Sequence, residues 1–518
     1  MKFFLLAIFH FVLLATSVLS QTIVWEKCLG GTKAEGFPCV IETHDHKLIV
    51  TGYTSSNDGD VQGNHGGTCT SDSCFDAWVI KLDESGNILW QHPYGGTRFD
   101  AAYFSIESND NYLIAARTNS IDGDVNFSYG DIDAWLFLID SASNIIWQKS
   151  YGGTNLDGIY GIANTIDHGY IAVGTTNSND GVVAGNHGFE DLWVLRLDSA
   201  GNILWQECLG GTGFDGANCI KRTNDGNFII GGFASSNDGD VTLHHVGSVD
   251  FWVLEIDTSG NIIWQNTYGG SDDDFCRSIY QTLDGGFLLT GGVNSIDGDI
   301  TSVHGGINGD LWVVKIDSTG NIQWQHSYVG SDTEGASSIF ENAYGHIIIT
   351  GTTGSNDGDV SGNHGAGDYW QIELDSSGNL LQQKCLGGNG IDWVTSSALS
   401  FDGSTVLVGE TESFNSGDVT GYHGGYSDLW LVKLAPMVTV TEKVESRIQT
   451  LFPNPVKNIL FFNPIPTETT INIYSVLGEK LRTYNIFGST NSIDISELSS
   501  GVYFLKYENN KVVRFVKE

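Results

Sequence analysis

Residues 76–92, DAWVIKLDESGNILWQH, hold the pattern on which the fold depends. In the first part, Trp78 and Ile80 alternate with Ala77 and Val79, so apolar side chains point to both faces of a strand. A strand that is apolar on both faces belongs to a sheet that is covered on both sides. The turn ESGN then leads into a second short strand, ILWQ. The stretch therefore predicts two successive strands within a layered β structure.

This pattern returns along the chain at a spacing of 57 to 60 residues. Each unit continues with Gly-Gly, an acidic residue, an apolar segment, a turn of the DGG type, a further strand and a polar loop similar to SNDGDV. No segment shows the periodicity of a helix. The aspartates that open the seven copies of Asp-x-Trp are Asp76, Asp133, Asp191, Asp250, Asp310, Asp368 and Asp428.

Seven units of four short strands predict an all-β fold, a seven-bladed β-propeller followed by a small C-terminal β-sandwich. The alternative for the repeats is an open β-solenoid. Thr22–Trp25 is a copy of the NIIWQ strand with no Asp-x-Trp strand before it, and Asp428–Leu434 lacks a NIIWQ strand after it. Pairing of the two would close the ring and remove two open sheet edges. We therefore expect the first strand to complete the last blade.

Charge and composition exclude several partners. The 518 residues contain 62 Asp+Glu against 24 Lys+Arg, which gives a net charge of −38. A protein this acidic is not expected to bind nucleic acid or an anionic membrane surface. The 66 glycines exclude a helical bundle, and we expect a monomer.

Four segments follow from the composition. Residues 1–20 combine Lys2, an apolar run and small residues at the end, as expected for a secretory signal peptide. The repeats then occupy residues 21–436. Five of the 7 prolines lie from Pro436 onward, where residues 437–449 read as a linker and residues 450–518 as the small sandwich.

The tail resembles the type A sorting domain of the type IX secretion system of Bacteroidota. The matching motifs are Phe452-Pro-Asn-Pro455, Ile471-Asn-Ile-Tyr474, Ile493-Asp-Ile495 and Gly501-Val-Tyr-Phe504, followed by a basic end. The resemblance implies that the type IX secretion machinery is a partner of this protein and carries it across the outer membrane. It also implies a location outside the cell or on the outer cell surface, with possible cleavage of the tail.

The repeats resemble the SBBP-type β-propeller repeat of bacterial extracellular proteins. Gly152-Gly153, Asp157, Gly174-Thr175, Asp191-Leu-Trp193 and Gly201-Asn202 carry the likeness. The family implies a fold and an exposed location, and it prescribes no catalytic residues.

The eight cysteines suggest disulfides in an oxidising compartment. Cys28 and Cys39 share a spacing and a repeat phase with Cys208 and Cys219, so each pair is expected to form a disulfide. Cys69 and Cys74 bracket an insertion and are expected to form a third. Cys276 and Cys385 are expected to be buried and unpaired.

The polar loops place two aspartates one residue apart, with glycine between them. Carboxylates at this spacing suit a hard cation such as Ca²⁺, but Asn-Asp-Gly-Asp is also ordinary turn chemistry. The EF-hand loop with its terminal glutamate is absent, and both interpretations stay open. The candidate calcium ligands are Asp58, Asp60, Asp122, Asp124, Asp238, Asp240, Asp297, Asp299, Asp357 and Asp359.

Two further polar sets are locked to the repeat. The acid after Gly-Gly and the aspartate of Asp-x-Trp are expected to fix turns by accepting backbone N–H groups, since identical copies do not provide the unlike carboxylates of a catalytic pair. The histidines after the polar loops are expected to be hydrogen-bonded loop residues rather than metal ligands. The acids are Glu35, Asp100, Asp157, Asp215, Asp274, Glu334 and Asp392, and the histidines are His65, His187, His304, His364 and His423.

One tryptophan departs from the repeat. Thirteen of the 14 occupy the Asp-x-Trp or NIIWQ positions and are expected to pack, whereas Trp393 stands beside Asp392. These two residues are the candidate ligand-binding pair. No known catalytic motif stands out. The sequence favours a non-enzymatic binding or adhesion module for an extracellular protein or glycan; the alternative is a polysaccharide hydrolase or lyase with its site in the central channel.

Overall fold

The computed structural model describes residues 21–66, 74–242, 249–301, 309–342, 344–436, 451–452, 456–462, 469–475, 480–486, 492–507 and 512–517. The signal-peptide and linker predictions fall outside these residues. The chain divides into two compact units, one of residues 20–438 and one that includes residues 439–518. Among the described residues, none forms a helix with the length and apolar character that a membrane span requires.

Twenty-eight strands lie in the described part of the first unit. In chain order they are β1 (Ile23–Leu29), β2 (Glu35–Glu42), β3 (Leu48–Thr54), β4 (Asp76–Leu82), β5 (Ile88–Tyr94), β6 (Asp100–Ser108), β7 (Asn111–Thr118), β8 (Asp133–Ile139), β9 (Ile145–Tyr151), β10 (Asp157–Asn164), β11 (Tyr170–Thr176), β12 (Asp191–Leu197), β13 (Ile203–Leu209), β14 (Asp215–Arg222), β15 (Phe228–Ala234), β16 (Asp250–Ile256), β17 (Ile262–Tyr268), β18 (Asp274–Gln281), β19 (Phe287–Val293), β20 (Asp310–Ile316), β21 (Ile322–Tyr328), β22 (Glu334–Glu341), β23 (Ile347–Thr353), β24 (Asp368–Leu374), β25 (Leu380–Leu386), β26 (Asp392–Leu399), β27 (Thr405–Thr411) and β28 (Asp428–Leu434).

These strands form seven antiparallel sheets of four strands, as predicted. Blades 1 to 6 are β2–β5, β6–β9, β10–β13, β14–β17, β18–β21 and β22–β25; blade 7 consists of β26, β27, β28 and β1. We call the first strand of each blade the inner strand and the fourth the outer strand. The inner strands are β2, β6, β10, β14, β18, β22 and β26.

Closure of the ring by the first strand is confirmed. β1 pairs antiparallel with β28, with Ile23 opposite Leu434 and Cys28 opposite Trp430. Two hydrogen bonds extend the pairing of β1 and β28 beyond the strand ends. The Ala435 N–H donates to Thr22 O at 2.9 Å, and the Gln21 side-chain amide donates to Ala435 O at 2.7 Å. The last blade thus has no open outer edge.

The core lies between neighbouring blades. Trp193 is fully buried and packs against Leu113 and Ala115 of the preceding blade. Its indole N–H donates to Gln206 of the adjacent outer strand at 2.9 Å, which explains the glutamine of the NIIWQ motif. All seven Asp-x-Trp tryptophans are fully buried. Each therefore contributes the free energy of a large apolar side chain, about 2–3 kcal/mol, to blade packing.

A repeated glycine in the second strand keeps the inner strand close. A Cβ on Gly174 would lie 1.9 Å from the carbonyl oxygen of Gly158 on the inner strand. No side chain fits at that distance, so glycine is required at this position.

The described part of the second unit contains two small sheets around an apolar core. Their strands are β29 (Leu451–Phe452), β30 (Ile459–Phe462), β31 (Thr469–Ser475), β32 (Lys480–Ile486), β33 (Ser492–Asp494), β34 (Gly501–Tyr507) and β35 (Val512–Lys517). Ile471, Ile473, Leu505 and Phe515 are fully buried at its centre. This is the small β domain that the alternating apolar runs predict.

Candidate functional site

The first aspartate of each polar loop fixes a turn between blades. Asp122 accepts the N–H of Thr97 at 2.8 Å and the hydroxyl of Thr97 at 2.9 Å. Asp58, Asp238, Asp297 and Asp357 accept the equivalent backbone N–H, each at 2.8 Å. The polar loop is thereby tied to the Gly-Gly connection that enters its own blade.

The second aspartate reaches the same connection. Asp60 accepts the N–H of Gly30 at 3.3 Å, and Asp124, Asp240, Asp299 and Asp359 repeat this contact. Within the described residues, only His44, Glu107 and Asp110 bring three potential metal-ligating groups together, and none of these belongs to a polar loop. Calcium binding by the loops stays a prediction.

Two buried carboxylates meet at each junction between blades. Asp191 of Asp-x-Trp and Asp215 after Gly-Gly are both fully buried. Asp191 Oδ1 accepts no hydrogen bond from the described residues, and a Cβ on Gly210 would lie 2.8 Å from both this atom and Asp215 Oδ2. Asp215 accepts the N–H of Gly211 at 2.9 Å, which is the turn-fixing role expected from the sequence.

Burial raises the pKa of several of these acids. Desolvation raises the pKa of Glu35 to about 7, and those of Asp100 and Asp274 to about 6. Desolvation also raises the pKa of Asp191, with a smaller contribution from the charge of Asp215. The junctions therefore favour the protonated form of part of this set at mildly acidic pH.

The loop histidines contact these aspartates. His187 donates its backbone N–H to Asp191 Oδ2 at 2.8 Å, and its ring Nδ1 lies at the same distance from this oxygen. His65, His364 and His423 make the same pair of contacts. These positions agree with the hydrogen-bonded role predicted for them; His304 lies outside the described residues.

Two of the predicted disulfides are wrong. Cys28, Cys39, Cys208 and Cys219 all carry free thiols. The reason is topological, since Cys28 and Cys208 lie on outer strands whereas Cys39 and Cys219 lie on the inner strand of the next blade. A Gly-Gly connection between these strands crosses the whole width of a blade.

The remaining cysteine predictions concern Cys276, Cys385 and the pair Cys69 and Cys74. Cys276 and Cys385 are buried free thiols, as expected. Cys74 is disulfide-bonded, and its predicted partner Cys69 lies outside the described residues, so that pairing stays a prediction.

A channel runs between the seven inner strands. Its volume is about 1340 Å³, and residues from every inner strand line it. Each inner strand carries a β-bulge that includes the third residue after its acid, and the bulge of β2 also includes Phe37. Bulges re-aim side chains, and they are frequent beside functional sites. The bulged residues in the channel lining are Phe37, Pro38, Tyr103, Tyr160, Asn218, Arg277, Ser337 and Thr395.

Aromatic and cationic side chains occupy one side of this ring. The Arg117 guanidinium lies 5.5 Å from the ring centroid of Tyr103 and 5.0 Å from that of Tyr160. The Arg277 guanidinium lies 5.8 Å from the ring of Phe275. Contacts of this kind hold a cation in place without neutralising its charge. The ring centroid of Phe37 lies 5.6 Å from that of Tyr103, whereas the bulged residues of β22 and β26, Ser337 and Thr395, are small, so the channel wall is asymmetric.

Lys221, Arg222 and Arg277 are the basic residues of the channel lining. Within the described residues, no ion pair joins Lys221, Arg222 or Arg277 of the lining to an acid. By contrast, four lysines and arginines at the ends of third strands are paired, as in Lys81–Asp45 at 3.2 Å and Arg196–Asp167 at 2.6 Å. The lining also includes the acidic residues Glu42, Asp332 and Glu334, so cations and carboxylates share the channel, and the three cations of the lining are its positions for an anionic group.

The two predicted ligand-binding residues have different surroundings. Trp393 lines the channel and is 56% exposed, so its indole is available to a ligand. Asp392 is fully buried and accepts the Gly388 N–H at 2.7 Å and the Ser413 hydroxyl at 2.9 Å. Glu410 is paired with Trp393 in the sheet and accepts the N–H of Phe37 at 2.8 Å.

Sequence reasoning missed the channel residues Tyr103, Tyr160 and Arg277. It searched the tryptophans, and nearly all of these pack between blades. A comparison of the third residue after the acid in each repeat would have found Tyr103, Tyr160 and Arg277, because the other copies are Pro, Asn, Ser and Thr at this position.

Solved structures similar to the chain are related in fold alone. The structure of Sqt1 from Chaetomium thermophilum is 11% identical and covers 79% of this chain and 88% of its own, with a TM-score of 0.39. Drosophila Plexin A in complex with Semaphorin 1b is 8% identical and covers 80% of this chain and 87% of its own, with a TM-score of 0.40. Neither structure identifies a ligand for this chain. A search of curated proteins finds no match to it.

The tail has a clear relative. Residues 450–517 match the family model described as the secretion system C-terminal sorting domain. This is the sorting domain of type IX secretion that the tail motifs predict, and it implies an interaction with that machinery. The protein is therefore directed by its C-terminal sorting domain to secretion or to attachment at the outer cell surface.

Proposed function

We propose that the propeller is a non-enzymatic extracellular binding module that holds an acidic glycan in its central channel. The observation that carries this proposal is the asymmetric channel wall, where aromatic rings and unpaired cations stand together. The regular repeats outside the channel supply the frame, and we assign them to the SBBP type on their motifs.

The chemistry of the wall favours a sugar that carries carboxylates. Aromatic faces such as those of Trp393 and Tyr103 stack on the apolar faces of pyranose rings. Arg277 offers a planar donor fork that matches a carboxylate. On the inner strands of blades 6 and 7, Ser337 and Thr395 provide small hydroxyl groups that hydrogen-bond to sugar hydroxyls. A neutral glycan would leave the cations unpaired, and a flat protein surface would not enter the channel.

Calorimetric titration of the full chain tests the proposal. Tetragalacturonate serves as the acidic probe and cellotetraose as the neutral probe of similar length. We expect binding of the acidic probe that weakens as salt is raised, and at least tenfold weaker binding of the neutral one. Equal affinity for the two probes, or no binding of the acidic one, would overturn the proposal.

Two variants locate the site. Arg277→Gln in the channel should weaken binding of tetragalacturonate at least tenfold, which corresponds to about 1.4 kcal/mol. Arg98→Gln is the matched control, because Arg98 lies outside the channel lining and its guanidinium donates to Asn119 O at 3.3 Å. It should bind as the unaltered protein does.

The alternative function, a polysaccharide hydrolase or lyase, is tested with the same mixtures of protein and tetragalacturonate. Chromatography of the probe after long incubation should recover intact tetragalacturonate. Shorter or unsaturated products that disappear in a Glu410→Gln variant would assign catalysis to the channel instead.

A further inference from the structure

Two cysteines on neighbouring inner strands meet at the channel wall. Cys219 lies on β14 of blade 4 and Cys276 on β18 of blade 5. The two thiols interact directly, and the adjoining Asn218 amide donates to Cys276 O at 2.8 Å. The ideal Cβ position on Gly231 lies 3.0 Å from both sulfur atoms. The two sulfurs therefore occupy one small space beneath the second strand of blade 4.

Gly231 is what leaves this space open. It pairs with Cys219 across the sheet, and the corresponding residues of the other blades all carry a Cβ atom. A Cβ 3.0 Å from two sulfurs would force one of them away. Cys219, which blade 1 matches with Cys39, thus meets two departures from the repeat, Gly231 and Cys276, at one junction. The other residues at the position of Gly231 are Thr51, Ala115, Val173, Thr290, Thr350 and Val408.

The two thiols differ in access and in acidity. Cys219 lines the channel, whereas Cys276 is fully buried. The hydrogen bond from Cys276 lowers the pKa of the Cys219 thiol, with help from the charge of Lys221. The same interaction together with burial raises the pKa of Cys276. Cys219 is thus the accessible nucleophile and Cys276 the second thiol behind it.

We propose that Cys219 and Cys276 form a disulfide that joins blades 4 and 5 when the protein enters an oxidising compartment. The oxidant is an external disulfide, carried by a protein or a small molecule. Disulfides persist in the extracellular locations to which the sorting domain directs this chain. The bond would fasten two inner strands that are otherwise held across the blade junction by non-covalent contacts.

The exchange balances in two steps. First, the Cys219 thiolate attacks one sulfur of the external disulfide, forms a mixed disulfide and displaces one thiolate. Cys276 then loses its proton, and its sulfur attacks Cys219 Sγ and displaces the second thiolate. The two cysteines together lose two electrons and two protons, which convert the external disulfide into two thiols.

Mass spectrometry of the full chain tests this proposal. The reduced protein is incubated with oxidised glutathione, alkylated, unfolded in the presence of the alkylating agent, and digested. We expect a peptide pair crosslinked through Cys219 and Cys276, while Cys208 and Cys385 remain alkylated. Alkylation of both Cys219 and Cys276 after oxidation, or their linkage to other cysteines, would overturn the proposal.

The Cys276→Ser variant examines the order of the steps. Without the second thiol, the mixed disulfide cannot resolve, so glutathione should stay attached to Cys219. Cys385→Ser is the matched control, since Cys385 is a buried free thiol on the outer strand of blade 6. This control should form the crosslink as the unaltered protein does, and a Cys276→Ser protein that leaves Cys219 unmodified would contradict the assigned nucleophile.

Discussion

The indole N–H of Trp430 donates to the carboxylate of Glu26 at 3.1 Å, although 404 residues separate them in the chain. In the other six blades the same indole group donates to the glutamine of the NIIWQ strand, at 2.7–2.9 Å. Glu26 thus takes the place of that glutamine in blade 7. The contact joins the two ends of the propeller.

Replacement of Glu26 tests this seam. Glu26→Ala removes the acceptor of a buried indole N–H and should lower the free energy of unfolding by about 1–2 kcal/mol. Gln206→Ala, which removes the same contact in the continuous blade 3, should cost a similar amount. Urea denaturation measures both. A loss in Gln206→Ala without one in Glu26→Ala would show that β1 does not close the ring.

Two adjacent glycines of β19 provide a packing test. A Cβ on Gly291 would lie 1.8 Å from Phe275 O, whereas one on Gly292 would meet no atom within 4 Å. Gly291→Ala should therefore destabilise the protein by about 3 kcal/mol or more, and Gly292→Ala should change the free energy of unfolding by less than about 0.5 kcal/mol. Equal effects of the two substitutions in urea denaturation would contradict the close approach of β18 and β19.

The buried acids predict that stability falls as pH rises from about 4 to 8. Glu35, Asp100 and Asp274 have pKa values of about 7, 6 and 6 in the folded protein, above the ordinary value of about 4 in an unfolded chain. The folded state thus binds more protons in this range, and linkage lowers the free energy of unfolding as these protons leave. The Asp76 carboxylate raises the pKa of His65, so the stabilisation from His65 is also complete at low pH and is lost as pH rises through its folded value.

Melting temperatures at pH 5, 6, 7 and 8 check this dependence. We expect a steady decrease, and a shallower one in Glu35→Gln, because a neutral amide has no proton to lose. A melting temperature that increases from pH 5 to 8 would contradict the buried carboxylate pairs.

The polar loops yield a prediction about calcium. Asp122→Ala removes the acceptor for both the N–H and the hydroxyl of Thr97, and should cost about 1–2 kcal/mol of stability in EDTA and in excess calcium alike. Asp122→Asn keeps one carbonyl acceptor and should cost less. A melting temperature that calcium raises in the unaltered protein but not in Asp122→Ala would assign a cation to the loop.

The architecture was predictable because the same strand motifs recur in each of the seven repeats. Asp-x-Trp and NIIWQ fix two strands, and the unpaired copies at Trp25 and Trp430 indicate how the ring closes. The prediction of a Cys28–Cys39 disulfide was wrong because the two residues are close in sequence but separated by the width of a blade. Sequence distance does not reveal which edge of a sheet a strand occupies.

The lining of the channel was less predictable because a bulge in each inner strand determines which side chains point into the channel. In a regular strand, Tyr160 would follow the alternation of its neighbours, but the register shifts between Ile159 and Gly161. The bulged side chain points into the channel for that reason. Arg117 contacts the rings of Tyr103 and Tyr160 from the second strand of blade 2. The spacing of residues in the sequence does not predict this contact.

Hydrogen–deuterium exchange with and without tetragalacturonate tests the central claim most directly. A ligand held in the channel should slow amide exchange in the inner strands β6, β10, β18 and β26, and leave the outer strands β5, β9 and β13 unchanged. Exchange that slows only in the outer strands or the polar loops, or that does not change at a saturating concentration of the probe, would contradict a binding site in the channel.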